Sequence, residues 1–154
     1  MFLEKIRLLL KNRQFISLAT CDAAGQPNSA PQFIFKIKGR YLYLIDYTIG
    51  RTAANLRANP RASMSVMDID NLEGYRLNGS VQLIERGRVY EEILKEFNKK
   101  MLKLSSDRFL EGVRTGKKTE HFHIEISDKF IVYKVKLSEA VKIGRQGDLL
   151  KESS

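Results

Sequence analysis

The sequence predicts a mainly β fold, a barrel or a sandwich with peripheral helices, on three observations. Six or seven short segments read as strands bounded by turn residues, with few helices among them. The first three strands follow one another through tight turns, a meander that favours an antiparallel sheet. Neither G-x-G-x-x-G nor G-x-x-x-x-G-K-[ST] occurs, so both common nucleotide loops of α/β proteins are missing.

Residues 2–12 open the chain as an amphipathic helix, with Phe2, Ile6, Leu9 and Leu10 on one side. Glu4, Lys5 and Arg7 interrupt its apolar residues and no small-residue cleavage site follows, which argues against a secretion signal. QFISLATC (14–21) reads as a strand and Asp22-Ala23-Ala24-Gly25 as a turn. SAPQFIFKIK (29–38) is the second strand, and Gly39-Arg40 reverses the chain into YLYLIDY (41–47), which is rich in β-formers. RTAANLRA (51–58) is a short helix closed by Asn59-Pro60, because proline cannot continue it. RASMSVMDI (61–69) and GYRLNGSVQLIER (74–86) return as strands, with Gly79 marking a bulge or a close backbone approach. Val89, Ile93, Phe97, Met101 and Leu104 recur at steps of three or four and define a helix with a core-facing stripe. Ser105-Ser106-Asp107 offers caps for a further short helix to about Gly112. EHFHIEI (120–126) and KFIVYKVKL (129–137) alternate strictly about Ser127-Asp128 and read as a final hairpin. The chain is expected to form one domain, 1–154, with residues 144–154 a loose tail.

At 154 residues, with 43% hydrophobic and 29% charged residues, the composition is that of an ordinary soluble domain. No apolar run is long enough to span a bilayer, so no membrane is expected as a partner. Cys21 is the only cysteine and there are two histidines, too few for a structural zinc site or an internal disulfide. Cys21 is read as a small buried residue, no metal is expected, and a cytoplasmic location follows. The formal net charge of +9 suits nucleic acid, an acidic surface or an anionic small ligand. The basic residues are spread along the chain, and Lys95, Lys99, Lys100 and Lys103 beside Glu91, Glu92 and Glu96 read as a solvated helix face. Nucleic-acid binding needs aromatics interleaved with basic residues on one exposed face. Tyr41 and Tyr43 share a face but sit in a hydrophobic segment and read as packing residues, so nucleic acid is not expected.

The stretch DYTIGRTAANLRANPRASMSV (46–66) carries the chemistry. A strand ending in Tyr47-Thr48 passes through Gly50 into a helix opened by Arg51 and Thr52. The first amides of a helix have no backbone partner, and here they meet a guanidinium and a hydroxyl. That is an anion site, with phosphate the usual anion. Asn55, one turn on, is placed to reach the same ligand. The alternative is a surface arginine beside an ordinary N-cap threonine.

The stretch Phe15–Arg86 resembles the pyridoxamine-phosphate-oxidase-like family of FMN-binding split barrels. The resemblance rests on F-I-S-L-A-T, G-Q-P-N-S-A-P-Q-F-I-F, Y-L-Y-L-I-D-Y-T, G-R-T-A-A-N-L-R-A-N-P-R-A-S-M and L-N-G-S-V-Q-L-I, in family order and spacing. It implies an antiparallel, Greek-key-like FMN-binding split barrel working as a homodimer, with FMN at the interface. On matching positions, Pro31, Gln32, Phe33 and Ile34 would lie along the isoalloxazine ring. Tyr47 and Thr48 would neighbour the ribityl chain and phosphate, and Arg51 and Thr52, with Asn55, would clamp the phosphate. The chain departs from the family in two places. The arginine–x–histidine substrate motif of true pyridoxamine phosphate oxidases is not found, and Thr52 and Ala53 stand where the family usually has lysine.

The resemblance implies an FMN-dependent oxidoreductase that takes electrons from a small-molecule substrate or a donor such as NAD(P)H. The alternative is a non-catalytic flavin- or haem-binding carrier or sensor on the same fold, and a deazaflavin in place of FMN is a variant of the first. No catalytic side chain is named, because no serine–histidine–acid set or poised carboxylate pair is evident. His121 and His123 point to one face of their strand, a geometry that suits a metal or haem iron, although two such histidines more often have no special role. Arg114, Lys117 and Lys118 around Gly116 read as a solvated loop.

Overall fold

A computed structural model describes residues 2–116 and 129–153. Its elements are α1 (Phe2–Lys11), β1 (Phe15–Cys21), β2 (Pro27–Lys38), β3 (Tyr41–Asp46), α2 (Arg51–Ala58), β4 (Arg61–Asp68), β5 (Glu73–Ile84), α3 (Arg88–Thr115), β6 (Ile131–Ile143) and β7 (Leu149–Ser153). The chain divides into two compact units, Met1–Ile84 with Phe130–Ser154, and Glu85–Lys129.

The first unit holds every described strand. All pairings are antiparallel, in the order β3-β2-β1-β4-β5-β6-β7, and β3 also pairs with β6. That closing pairing turns six strands into a barrel and removes their free edges. β1, β2 and β3 form the expected meander, while β4 returns through α2 to lie beside β1, which is a Greek key. Inward-facing residues alternate along each strand: Ile16 and Leu18 on β1, Leu42 and Leu44 on β3, Met64 on β4, Leu77 on β5, Val135 on β6. Ile6 and Leu10 of α1 join the same cluster, so the amphipathic stripe is spent on the barrel core. Each such side chain contributes about 1.5–3 kcal/mol when fully buried.

Three local rules placed the connections correctly. Asn59-Pro60 ends α2, and the Asn59 amide still reaches the Asn55 carbonyl at 2.7 Å. Gly39-Arg40 turns β2 into β3. Gly79 sits at a bulge, where Asn78 pairs with Glu139 and Gly79 with Leu137. A Cβ at Gly79 would stand 2.5 Å from the Lys136 carbonyl oxygen, so the close backbone approach read from the sequence is present.

Two expectations fail. Residues 144–154 are not a loose tail: Leu149–Ser153 form β7, paired with Glu139–Ile143. β3 pairs with β6 only from Ile131 to Lys136, so the same edge of β6 is open beyond that point and β7 takes it. The helix stripe and the short helix after it are one element, α3, of 28 residues. Ser106 does not cap a second helix; its hydroxyl donates to the Leu102 carbonyl at 2.9 Å, the back-bond that lets serine stay inside a helix. α3 ends where Gly116 takes a left-handed conformation at φ 65°. The first strand of the expected final hairpin, with His121, His123, Lys117 and Lys118, lies outside the described residues. Its second strand is β6, which runs on to Ile143. No described helix is long and apolar enough to cross a membrane.

Candidate functional site

The site begins where β3 ends. Asp46 is 2% exposed, and its carboxylate collects three donors. Oδ1 accepts from the Thr48 amide at 2.9 Å and the Thr48 hydroxyl at 2.7 Å, and Oδ2 accepts from the buried Tyr133 hydroxyl at 2.5 Å. This aspartate turn lifts the chain off the barrel edge. Tyr47 is thereby left partly exposed, with its ring edge-on to Phe130 at 6.4 Å, and burial raises the pKa of its phenol. Ile49 follows at φ 44°, a conformation that costs a β-branched residue energy and that persists only where the surroundings enforce it.

Helix α2 starts immediately after this turn. No side chain caps it, and its first turn carries no acidic residue. Its first backbone bond runs from the Ala54 amide to the Gly50 carbonyl at 3.2 Å, so the amides of Arg51, Thr52 and Ala53 precede the helical ladder. Arg51 is exposed beside them. The positive end of the helix and its first amides thus stand beside an exposed arginine.

The inner face of α2 is polar and occupied. Thr52 and Asn55 are each 4% exposed. The Asn28 amide nitrogen donates to the Thr52 hydroxyl at 3.0 Å and lies 3.5 Å from the Thr20 hydroxyl, while the Asn55 amide nitrogen donates to Thr20 at 3.1 Å. Asn55 therefore points at β1 and anchors the helix, although its spacing suggested a reach toward the ligand. At the far end Asn59 lies 3.4 Å from the Cys21 sulfur.

The four β2 residues named from the sequence divide by strand alternation. Gln32 and Ile34 face the barrel interior, opposite Ile16 and beside Leu44, and Pro31 and Phe33 face outward, opposite Ser17 and Phe15. Pro31 is exposed, whereas Phe33 is 7% exposed and meets Phe15 edge-on at 5.7 Å. β3 pairs with β2 only as far as Phe33, so the edge of residues 27–32 that faces away from β1 has no strand beside it among the described residues. The Ile34 amide donates to the Gln14 carbonyl on the β1 side at 2.8 Å. Because successive residues direct their backbone groups to opposite edges, Ser29 and Pro31 present theirs to the open edge. The Asn28–Thr52 bond ties the first turn of α2 to this segment of β2.

Two hollows that the sequence did not reveal lie elsewhere on the barrel wall. One, of about 720 Å³, is lined by Cys21, Asn59, Arg61, Ser63, Asn78 and Glu139 among others. The second, of about 280 Å³, is lined by Ser17, Ser29, Ser65, Met67 and Arg76 among others. Small outward residues of β1 and β4, Ser17, Ala19, Ser63 and Ser65, line these hollows. Among the described residues no group of three or more His, Cys, Asp or Glu is placed to hold a metal ion.

A profile of the pyridoxamine 5'-phosphate oxidase family matches residues 2–128. No curated protein matches the chain. A solved structure from Clostridium acetobutylicum, a protein related to general stress protein 26, superposes with a TM-score of 0.71 at 15% identity, covering 99% of this chain and 94% of its own. A pyridoxamine 5'-phosphate oxidase-related FMN-binding protein from Nostoc punctiforme gives 0.59 at 15% identity, covering 96% and 91%. A haem-binding protein from Mycobacterium smegmatis gives 0.60 at 16% identity, covering 97% of this chain and 57% of its own. At these identities the likeness establishes the fold: the closed antiparallel barrel is the split barrel of these proteins.

Proposed function

The chain belongs to the pyridoxamine 5'-phosphate oxidase family, and from that premise we propose that it is an FMN-dependent oxidoreductase with the flavin phosphate held at the start of α2. The observation that carries this reading is the junction of two half-sites. An uncapped helix N-terminus with an exposed arginine is tied by the Asn28–Thr52 bond to the segment of β2 whose outer edge is open. The first half suits a dianion and the second suits the polar edge of a flat heterocycle.

In this reading Arg51 and the amides of residues 51–53 bind the phosphate, and Thr48 faces the ribityl chain. Thr52 supports the clamp while bonded to Asn28, and Asn55 holds the helix in place. Pro31 and Phe33 offer an apolar surface to the ring, and the backbone of Ser29 and Pro31 offers polar groups to its edge. Gln32 and Ile34 contribute through the strand they belong to, and Tyr47 shields the turn. When bound, FMN supplies hydride and single-electron chemistry of its own. The small-residue wall of Ser17, Ala19, Ser63 and Ser65 leaves room for a second copy of the chain, and a two-fold pair of barrels there would cover each site from outside.

Substituting Arg51 by Ala tests the clamp. Loss of a charge-assisted contact of about 1.5–3 kcal/mol weakens FMN binding roughly tenfold to a hundredfold. Riboflavin, which has no phosphate, binds both proteins alike. Equal loss for both ligands, or none for FMN, removes the clamp. Reduction of the bound flavin by NADH or NADPH then separates an oxidoreductase from a carrier.

A further inference from the structure

The outer face of the barrel over β2, β3, β6 and β5 carries an ordered alternation of lysine and tyrosine. Cross-strand register places Lys38, Tyr41, Lys136, Ser80 and Arg61 in one row across five strands. Lys36, Tyr43, Lys134 and Gln82 form the adjacent row. Leu42, the residue that makes this segment read as hydrophobic, faces the other way and is 0% exposed in the core. The sequence reading therefore dismissed these tyrosines on the strength of a residue that does not share their face.

No carboxylate stands in either row. Lys38, Lys136, Arg61 and Tyr41 are exposed, and Lys36, Tyr43 and Lys134 are partly so. Like charges on directly opposed strand positions repel. Here a ring separates each pair of lysines, and the ammonium of Lys134 lies 4.6 Å from the Tyr41 ring centre and that of Lys36 5.4 Å from the Tyr43 ring centre. The rings tolerate the cations without neutralising them. Five of the basic residues behind the net charge of +9 are gathered here.

We propose that this Lys–Tyr face is a binding surface for single-stranded nucleic acid. Phosphates answer the ammonium groups, and exposed bases answer the rings, since every base has a π-face to stack. A duplex hides those faces, an acidic polypeptide offers nothing to the tyrosines, and neither uses both residue types in the alternation. The surface is distinct from the α2 junction and its reading does not depend on the flavin.

The test is fluorescence anisotropy of a labelled twenty-nucleotide oligo-dT with the full-length protein, as a function of salt. Lys38→Ala with Lys136→Ala should weaken binding roughly tenfold and make the log–log salt slope shallower by about 1.4, the release of two phosphate contacts. Lys38→Arg with Lys136→Arg should retain binding. Lys99→Ala with Lys103→Ala removes the same charge from α3, outside the Lys–Tyr rows, and should change affinity less than about twofold. Tyr41→Phe should bind like the parent, and Tyr41→Leu severalfold less at every salt concentration. The proposal is overturned if the α3 pair weakens binding as much as the β pair, if Tyr41→Leu changes nothing, or if polyglutamate competes as well as unlabelled oligo-dT.

Discussion

At Asp46 one buried carboxylate organises three later features: the turn at Thr48, the left-handed Ile49 and the direction in which α2 starts. Its third donor is Tyr133, 0% exposed in the barrel core, so the site is braced from inside the fold. Tyr133→Phe keeps the ring and strips one donor from a buried charge. The variant should lose about 1–3 kcal/mol of stability in denaturant unfolding, and a loss under about 0.5 kcal/mol would show that the carboxylate finds another partner. The segment D-Y-T (46–48) contains this signal, an aspartate two residues before a threonine at a strand end. Asn55 is the opposite case. Its spacing on the helix places it near Thr52 correctly, but spacing does not say whether that face meets ligand or barrel.

Elements were legible where punctuation is local. Glycine, asparagine and proline bound α2 at both ends, and the strand read at 14–21 is β1, Phe15–Cys21. β7 was illegible because Leu149–Ser153 is polar and short, and what makes it a strand is the β6 edge left open beyond Lys136. Gly79→Ala tests the bulge: the added methyl meets the Lys136 carbonyl and Val135, and should cost roughly 1–3 kcal/mol. The antiparallel pairing of β5 with β6 also carries a titrating brace. Lys142 bonds the Glu73 carboxylate at 2.5 Å and the Tyr75 hydroxyl donates to it at 2.8 Å, which holds Glu73 below the usual value of 4.5. Burial, with Glu73 second, pushes the Tyr75 phenol up to about 12. A carboxylate with a lowered folded pKa stabilises above its unfolded pKa, and that contribution is lost as pH falls through the folded value. The melting temperature should therefore fall below about pH 4.5, and Glu73→Gln should fall less steeply over the same range while melting lower at pH 7.

The whole molecule joins a closed barrel, whose six-strand ring removes its own edges, to a segment of β2 that leaves the ring early. On the proposed reading, that segment and the uncapped helix beside it give the cofactor its place. Family and fold were legible because five sequence pieces in fixed order imply one topology. The placement of charge was not, since strands far apart in sequence must be registered before Lys36, Tyr43 and Lys134 become neighbours. If the small-residue wall of β1 and β4 is where two copies meet, Ser65→Arg should halve the mass measured by sedimentation and weaken FMN binding with it. A variant that stays dimeric would move the interface elsewhere. The measurement closest to the central claim is the visible absorbance spectrum of the protein purified without added cofactor, followed by release and identification of what it carries. The account predicts a flavin spectrum and FMN at about one copy per chain. A Soret band, or a colourless protein that titration with FMN cannot turn yellow, would contradict it.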